Sequence, residues 1–439
     1  MLVKIRYVIA LGALALCAAV AQAQDFYWNT ASVRSNGMGG IYVASSSDVV
    51  DALAANPAGL SVLRGRNLDL AADAVFARGS FSNSANDGAP LATAPGVVPY
   101  GAFGMPIPHS KFSLGVGAMP ELLSTADWHY VDAPGTAGAT YGYQQQKSEI
   151  NALRVAGGLS YAVNSRLSLG ASLGAVYNTN TLEAPYIFQT QPQLAGLKTL
   201  LDLHTNGWGW NASAGALFQA NKKIQLGVAW KSRTVINSTG NASGDAYAQF
   251  AALGVNAPSN FTYSAAVQNV LPQSILANAA WQATPGWLFA FQADWINWKN
   301  SFVVLPVSLT NGTNDVINSI VNSTSLNDGV PLHWKDQYAF HAGVERRLLE
   351  STVLRFGFAH ANSPVPSSTL TPLTAAILSN EISTGLGYTH GRSRFDVSYG
   401  FRPEANQSVG QSSLLAGEYN DSSVHVGTQS VSVGYSYHF

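Results

Sequence analysis

Apolar and polar residues alternate along the last nine positions of the chain. One face of the extended strand that they would form is apolar and carries Val431, Val433, Tyr435, Tyr437 and Phe439. The other face is small and polar and carries Ser432, Gly434, Ser436 and His438. A water-soluble sheet would turn the polar face outward, whereas an outer-membrane barrel places the apolar face in lipid and the polar face toward the lumen. The aromatic residue at position 439 favours the barrel.

The same alternation recurs along the chain from residue 67 onward. It is clearest at 167–175, 224–231 and 394–401, where apolar residues alternate with small, polar or charged ones. A strand that crosses a bilayer at a steep tilt needs about 9–11 residues, and the alternating stretches are close to that length. Membrane-spanning strands are therefore predicted for this part of the chain.

Short turns alternate with long polar segments between these strands. The short turns are predicted at 108–110, 164–166, 221–223, 284–286, 348–351 and 390–393. The long loops are predicted at 80–97, 121–148, 179–205, 238–270, 300–334, 362–380 and 403–424. Six turns and seven loops divide the chain into fourteen strands. Bacterial barrels have even strand numbers, short periplasmic turns and long outer loops, so the two patterns agree.

The first 23 residues have the features of a secretory signal peptide. Lys4 and Arg6 form a basic region, residues 8–20 are apolar, and Ala21-Gln22-Ala23 is a cleavage site. We therefore expect residues 1–23 to be removed. The single cysteine, Cys17, lies inside this segment. The mature protein is then expected to lack thiols, which excludes disulfides, zinc–thiolate sites and cysteine nucleophiles.

Composition strengthens the prediction of a barrel. Charged residues make up only 11% of the chain and aromatic residues 10%, whereas soluble proteins are about a quarter charged. Residues 24–439 contain no apolar run long enough for a membrane helix. The net charge of −1 provides no basic surface for nucleic acid. We therefore predict an all-β protein of the bacterial outer membrane, in which residues 67–439 form a 14-stranded antiparallel transmembrane β-barrel.

Residues 24–66 do not follow the strand pattern. They contain a glycine-rich stretch at 37–40 and a short helical pattern that ends at Asn56-Pro57. A lumen surrounded by fourteen strands is wide enough to require filling. We therefore predict that residues 24–66 form a hatch, or plug, inside the barrel.

Several blocks of the chain resemble the FadL-type outer-membrane transporters of long-chain fatty acids and aromatic hydrocarbons. The resemblance lies in residues 35–44 (SNGMGGIYVA) and 56–60 (NPAGL), and in the later blocks 271–274, 294–298, 333–336 and 363–366. It implies a monomeric barrel in which an N-terminal hatch carries Gly37, Gly39, Gly40, Asn56, Pro57, Ala58 and Gly59. It also implies capture of an apolar ligand by outer loops, passage to an inner pocket and lateral release into the membrane at a kink in the third strand.

Two outer loops carry apolar residues at nearly helical spacing. They are Leu194, Leu197, Leu200 and Leu201 in the first loop and Tyr247, Phe250 and Leu253 in the second. The resemblance implies that these residues form a capture groove. Packing of the two loops against each other for stability explains the same spacing, and both interpretations remain open.

The third predicted strand contains Gly115 and Gly117 and ends near Pro120. Glycine and proline weaken strand pairing, so the glycines are candidates for the lateral opening that the resemblance implies. Pro120 fits equally a strand that simply approaches its loop.

Two further groups of side chains have predicted positions. Lys231, Asp294, Glu345, Arg355, Arg394 and Asp396 face the predicted lumen, and we expect them to pair with one another or with the hatch. The tryptophans at 281, 287, 295 and 298 are expected in an interfacial girdle.

The function predicted is transport of hydrophobic molecules, and three possibilities stay open. Long-chain fatty acids are favoured as ligands, and an aromatic hydrocarbon of the toluene or xylene type is the alternative. A surface-binding or adhesion barrel would also use long loops. No nucleophile, base and orienting group occur together, so we expect no enzyme activity, and neither a cofactor nor a metal. The expected partners are an apolar small molecule and outer-membrane lipid.

Overall fold

The protein is described from a computed structural model, which places residues 24–25, 32–42, 48–92 and 95–439. The predicted signal peptide lies outside the described residues, and so do 26–31 and 43–47 of the predicted hatch.

Strands dominate the described part of the chain. They are β1 (Gln24–Asp25), β2 (Asn67–Asn83), β3 (Asn86–Pro90), β4 (Gly96–Pro106), β5 (Phe112–Val131), β6 (Tyr143–Ala162), β7 (Leu167–Ile187), β8 (Lys198–Asn221), β9 (Ile224–Lys231), β10 (Thr234–Asp245), β11 (Asn260–Leu271), β12 (Ser274–Thr284), β13 (Trp287–Ile296), β14 (Val304–Thr310), β15 (Leu326–Pro331), β16 (Gln337–Arg347), β17 (Thr352–Ala361), β18 (Asn380–His390), β19 (Ser393–Val409) and β20 (Ser422–His438). The α-helices are α1 (Val33–Asn36), α2 (Val49–Ala54), α3 (Tyr247–Ala252) and α4 (Asp315–Val321). Short 3₁₀ helices occupy Pro57–Val62, Thr136–Gly138, Trp298–Asn300, Ser367–Thr369, Pro372–Thr374 and Leu415–Gly417.

The strands close into an antiparallel barrel, and the prediction of fourteen wall strands is confirmed. Within the described residues, β9–β10, β11–β12, β13–β14 and β15–β16 each form one interrupted wall strand, and ten uninterrupted strands complete the wall. The first and last wall strands, β2 and β20, pair from Asn67 with His438 to Ser82 with Ser423. This pairing leaves the sheet without a free edge at the point of closure.

The alternating polar and apolar residues of each strand face the lumen and the outside of the barrel, respectively. On β20, Val433 is 50% exposed and Ser432 only 2% exposed. On β19, Phe395 and Val397 are exposed, and Asp396 between them is buried. Apolar side chains thus face outward, as a lipid-facing surface requires. No helix in the described ranges is both long enough and apolar enough to serve as a membrane span.

Several strands continue far beyond the predicted membrane-spanning length at the long-loop end. β7 continues to Ile187 and β8 begins at Lys198, so the loop predicted at 179–205 is reduced to 188–197. The extension of β8 keeps the two-residue alternation with its faces reversed: Leu201 and Leu203 are buried inside, whereas Asp202 and His204 are exposed outside. The strand pairing continues above the membrane because backbone hydrogen bonds do not depend on an apolar face.

Two wall strands leave the barrel surface together. Residues 297–303 interrupt β13–β14, and residues 332–336 interrupt β15–β16. Trp298, Phe302 and Trp334 on these segments are almost completely buried, with ring centroids 4.9–5.0 Å apart. The expectation of an interfacial position for Trp298 is therefore wrong. The interruption carries its side chain into the core, where it packs against other aromatic rings.

Candidate functional site

A cavity of about 150 Å³ lies toward the long-loop end of the barrel. Its lining is mostly aliphatic and aromatic. The apolar lining includes Leu182, Tyr186, Phe188, Leu201, Leu203, Phe261, Val267, Phe302, Leu305, Val307, Leu309, Val330, Leu332, Trp334, Leu373, Leu414 and Tyr419. These residues come from stretches of chain widely separated in sequence, so only the closed barrel brings them together.

The cavity lies between two clusters of buried side chains. One cluster contains Phe302, Trp334 and Tyr419 together with Trp128 of β5. The other contains Phe188, Leu201, Leu203 and Phe261. Each cluster is packed from several strands and loops, so the cavity has firm walls on both sides.

The polar groups around the cavity are acidic or neutral. Its lining residues include no lysine, arginine or histidine among those the structure describes. Asp328 is held by the hydroxyl of Tyr186 at 2.5 Å and by the backbone N–H groups of Gln189, Thr190 and Gln191 at 2.5–3.1 Å. Its carboxylate is therefore fully occupied by donors from the 188–197 loop.

The described parts of the predicted hatch lie in the lumen, nearer the short turns. Inward-facing glycines of the wall leave room for it, and an added Cβ at any of them would collide with hatch atoms. These glycines are Gly104, Gly115, Gly158, Gly170, Gly215, Gly343, Gly357, Gly385 and Gly434. At Gly115, for example, a Cβ would lie 2.8 Å from Leu60 Cδ2. The wall is thus shaped to the hatch at close range.

Asn56 and the loop around Gly39 fasten the hatch to the wall. The Asn56 side chain accepts a hydrogen bond from the N–H of Ala58 at 3.1 Å and donates to the carbonyls of Ala216 and Val228 at 3.2 and 3.3 Å. The N–H of Gly39 donates to Ser383 Oγ at 2.8 Å. Gly39 and Gly40 have φ of +78° and +79°, which glycine adopts readily.

The remaining predicted hatch residues pack closely. Gly37 approaches Gly385 of β18 so nearly that a Cβ on it would lie 2.9 Å from the Gly385 Cα. Pro57 begins the 3₁₀ helix, Ala58 is completely buried, and a Cβ on Gly59 would lie 3.3 Å from Ala52 Cβ. The glycine-rich and Asn-Pro blocks of the sequence are thus points of close approach.

An unbroken series of ion pairs runs from the hatch through the wall and back to the hatch. Arg34 of α1 contacts Glu345 at 2.9 Å, and Glu345 contacts Arg355 at 2.8 Å. Asp396 then joins Arg355 at 2.7 Å to Arg394 at 2.6 Å. Arg394 finally pairs with Asp48, the residue before α2. Opposite charges alternate along the series, so no member is buried without a counter-charge.

The pKa values of two hatch carboxyl groups, Asp48 and Asp51, are shifted in opposite directions by burial and neighbouring charges. Burial acts to raise the pKa of Asp48, but Arg394 and Arg34 outweigh burial and hold it below its usual range. Burial and the neighbouring charge of Asp48 raise the pKa of Asp51 to about 6. Asp51 accepts hydrogen bonds from the hydroxyls of Ser32 and Ser35 at 2.9 and 2.6 Å, which joins α1 to α2.

The pairing between β4 and β5 ends early. The two strands pair only from Gly101 with Ala118 to Pro106 with Ser113, although β5 continues paired with β6 as far as Val131. The register of β5 shifts between Pro120 and Leu122, and beyond this point nearly all its side chains are buried on both faces. We call residues 119–126 of β5, which pair with β6 but not with β4, the slit.

The two glycines considered for a lateral opening lie just below the slit. Gly115 and Gly117 are in the regularly paired part of β5, opposite Gly104 and Ala102. The irregularity itself is at Pro120. Short strand β1 covers part of the slit, because Gln24 and Asp25 pair with Ser124 and Leu123.

The predicted capture residues are divided between the core and the surface. Leu200 and Leu201 belong to β8, and Leu201 lines the cavity together with Leu203, whereas Leu200 does not line it. Leu194 and Phe250 are buried in the cluster that contains Phe261, and Leu197 packs against it. Tyr247 and Leu253, at the two ends of α3, are 68% and 50% exposed.

The sequence pattern did not mark Trp128 or Glu418, and Trp334 entered only within the 333–336 block of the family resemblance. Trp128 lies in the extended part of β5, where alternation fails, and Glu418 lies in a loop between β19 and β20. Both acquire their surroundings only from loops that are distant in sequence, and no local signal marks them.

Comparison with solved structures relates the whole fold to known barrels. A Pseudomonas aeruginosa FadL homologue aligns with a TM-score of 0.75 at 16% identity, over 95% of this chain and 100% of its own. The Pseudomonas putida toluene transporter TodX gives 0.72 at 18%, over 95% and 100%. The Ralstonia pickettii toluene transporter TbuX gives 0.69 at 19%, over 94% and 99%. Identities this low establish the fold alone, and no curated protein sequence matches the chain.

A family model provides the sequence-level evidence. The family described as outer membrane protein transport protein (OMPP1/FadL/TodX) matches residues 14–439, nearly the whole chain. Its members are transport channels of the outer membrane for hydrophobic molecules. Together with the closed barrel of fourteen wall strands, this match shows that the chain belongs to the FadL/TodX family of outer-membrane transport proteins.

Proposed function

We propose that the protein takes up uncharged apolar molecules of about the size of a single aromatic ring, binds them in the cavity and releases them sideways through the slit. The observation that carries the ligand class is the cavity lining, which contains no cation among the described residues. A fatty-acid carboxylate bound there would lose its hydration without gaining a counter-charge, and this loss is costly.

The cavity volume supports the same ligand class. An apolar cavity of about 150 Å³ holds one benzene-sized molecule. A long-chain fatty acid is several times larger. We therefore favour an aromatic hydrocarbon over the fatty acid that the sequence resemblance favoured. TodX and TbuX are toluene transporters by name, and their folds match this one.

The route of release is argued from the slit. β6 residues Ser148 and Ile150 line the cavity, and their partners across the sheet, Ala126 and Ser124, lie in the part of β5 that does not pair with β4. Cavity and slit are thus separated by the width of one bent strand. An apolar ligand that leaves through the slit enters lipid without crossing the hatch or reaching the periplasm. We propose that a single barrel suffices for this route.

Uptake by cells tests the proposal. We expect cells that express the chain to take up labelled toluene faster than cells with empty vector, and to take up labelled p-toluate or oleate no faster. Thr374→Trp should abolish the gain because the indole fills the cavity that Thr374 lines. Leu173→Trp, at a 59% exposed lipid-facing position, is the matched control and should retain the increased toluene uptake.

Two results would refute the proposal. Oleate uptake above the empty vector, with no toluene uptake, would establish the fatty-acid alternative. Uptake of neither compound, at normal levels of folded barrel in the membrane, would favour a surface-binding barrel.

A further inference from the structure

A buried lysine joins three long loops beside the cavity. Lys198 Nζ lies 2.9 Å from Asp132 Oδ2, 2.5 Å from the carbonyl oxygen of Ala133 and 3.3 Å from Glu418 Oε1. The side chains of Lys198 and Asp132 are completely buried, and that of Glu418 is 5% exposed. Lys198 begins β8, Asp132 follows β5, and Glu418 precedes β20, so the cluster connects distant parts of the barrel mouth.

The charges in this cluster do not balance. When Glu418 is ionised, one ammonium group faces two carboxylates, which leaves a net charge of −1 at the cavity wall. The two other titratable groups beside it are the hydroxyls of Tyr130 and Tyr419, which lie 3.5 Å apart and are uncharged. The cluster therefore has an unused capacity to accept a hydrogen bond, and no capacity to neutralise an anion.

Glu418 holds that unused capacity. Asp132 is fully engaged, because its Oδ1 accepts from Thr140 Oγ1 at 2.6 Å and from the N–H of Tyr141 at 2.9 Å, while Oδ2 receives Lys198. Glu418 Oε1 receives Lys198 at the longer distance of 3.3 Å, and its Oε2 has no hydrogen-bond partner among residues 32–42, 48–92 and 95–439. Glu418 lines the cavity next to Tyr419.

We propose that the cavity selects an apolar molecule that carries a hydroxyl group, such as a phenol, whose O–H donates a hydrogen bond to the carboxylate of Glu418. The inference rests on the proposed function and specifies its ligand. A hydrocarbon leaves Glu418 Oε2 without a partner in an apolar cavity, and a hydroxyl group supplies the missing donor. A carboxylate ligand meets the excess negative charge and is repelled.

The cavity should prefer a hydroxyl-bearing ligand over a hydrocarbon appreciably, because the acceptor Glu418 lies in its apolar lining. Sites that offer a buried polar group discriminate strongly against analogues that cannot pair with it. A hydrogen bond to a charged acceptor corresponds to about tenfold or more in affinity. An ammonium ligand would also match the charge, but it must shed its hydration among the apolar residues of the lining, so we assign the hydroxyl group.

Four ligands, each built on a single benzene ring, distinguish a hydroxyl group from a hydrocarbon, a carboxylate and an amine. Titration calorimetry on the purified barrel at pH 8, where Glu418 is ionised, would compare p-cresol, toluene, p-toluate and benzylamine. We expect p-cresol to bind about tenfold more tightly than toluene, and p-toluate to bind most weakly. In Glu418→Leu the advantage of p-cresol over toluene should vanish. In Glu418→Gln, which keeps a carbonyl acceptor, part of the advantage should remain. Glu350→Gln, at an exposed turn position, is the matched control.

The outcomes distinguish this inference from the function on which it rests. Equal binding of p-cresol and toluene, or an unchanged ratio in Glu418→Leu and Glu418→Gln, would overturn the hydroxyl assignment and leave uptake of apolar molecules standing. Tighter binding of benzylamine than of p-cresol would overturn it in favour of an amine. Failure of all four ligands to bind or to enter cells would contradict the proposed function itself.

Discussion

The indole Nε1 of Trp128 donates a 3.0 Å hydrogen bond to the carbonyl oxygen of Pro372. Trp128 belongs to the bent upper part of β5, and Pro372 belongs to the segment between β17 and β18, whose Thr371, Leu373 and Thr374 line the cavity. The bond therefore connects the strand that forms the slit to the loop that encloses the ligand. Motion of one requires adjustment of the other.

Trp128→Phe should loosen this connection. The substitution removes the indole donor and with it this hydrogen bond, at a cost of about 1 kcal/mol. We expect amide hydrogen exchange in residues 362–379 to accelerate about fivefold. Trp287→Phe, at an exposed position near a short turn, is the control. Unchanged exchange in this segment would show that the two elements are not coupled.

The hatch should be displaced by a side chain at Gly170. A Cβ at this position of β7 would overlap backbone atoms of Pro57 and Ala58, whereas a Cβ at Gly157 of β6 meets no atom within 4 Å. Gly170→Val is therefore expected to raise single-channel conductance in planar bilayers toward that of a barrel lacking residues 24–66. Gly157→Val should conduct like the wild type. If Gly170→Val also does so, the hatch tolerates the side chain and does not seal the lumen.

The loop cluster at Lys198 should weaken as the pH rises. Burial, with the nearby charge of Asp132, raises the pKa of Glu418 to about 7, and Lys198 only partly opposes this. Since the folded protein holds this proton more tightly than the unfolded chain does, the stabilisation is complete below the ordinary value of 4.5 and is lost as the pH rises through 7.

Proteolysis of the 410–421 loop measures this effect. The ratio of the nicking rate of the wild type to that of Glu418→Gln, taken at each pH, cancels the pH dependence of the protease. We expect the ratio to increase several-fold from pH 5 to pH 8, because the glutamine cannot ionise. A flat ratio would mean that Glu418 keeps its ordinary titration.

The wall of the barrel could be predicted from sequence because each strand is specified by its own residues. Lipid on one side and a polar lumen on the other impose a two-residue alternation, and Ser432 and Val433 show the outcome. The pairing of lumen charges also followed, since Glu345, Arg355 and Asp396 cannot be buried alone.

The cavity could not be predicted in the same way. Trp298 follows the end of a predicted strand, where a tryptophan is typical of the interfacial girdle. Only the simultaneous interruption of two neighbouring wall strands turns its side chain inward. Leu200 and Leu201 are spaced like a helix but are paired in β8, because the pairing continues above the membrane, where the apolar face of the strand points inward instead of outward. Both positions depend on contacts between distant parts of the chain, which a local sequence pattern does not encode.

Lateral release through the slit can be tested at the residue by which β5 exceeds its partner strand β6. Glu121 lies at the register shift between Pro120 and Leu122, and its carboxylate pairs with Lys231 at 3.0 Å. Deleting Glu121 should restore the register, continue the pairing of β5 with β4 and close the slit. Glu121→Gln loses the same ion pair but keeps the extra residue, so the slit should remain open.

The decisive measurement is the initial rate of labelled toluene uptake by cells that contain equal amounts of each folded barrel. We expect deletion of Glu121 to lower the rate to that of empty-vector cells, and Glu121→Gln to keep most of the wild-type rate. Wild-type uptake by the deletion variant, with a barrel shown to be closed between β4 and β5, would contradict lateral release.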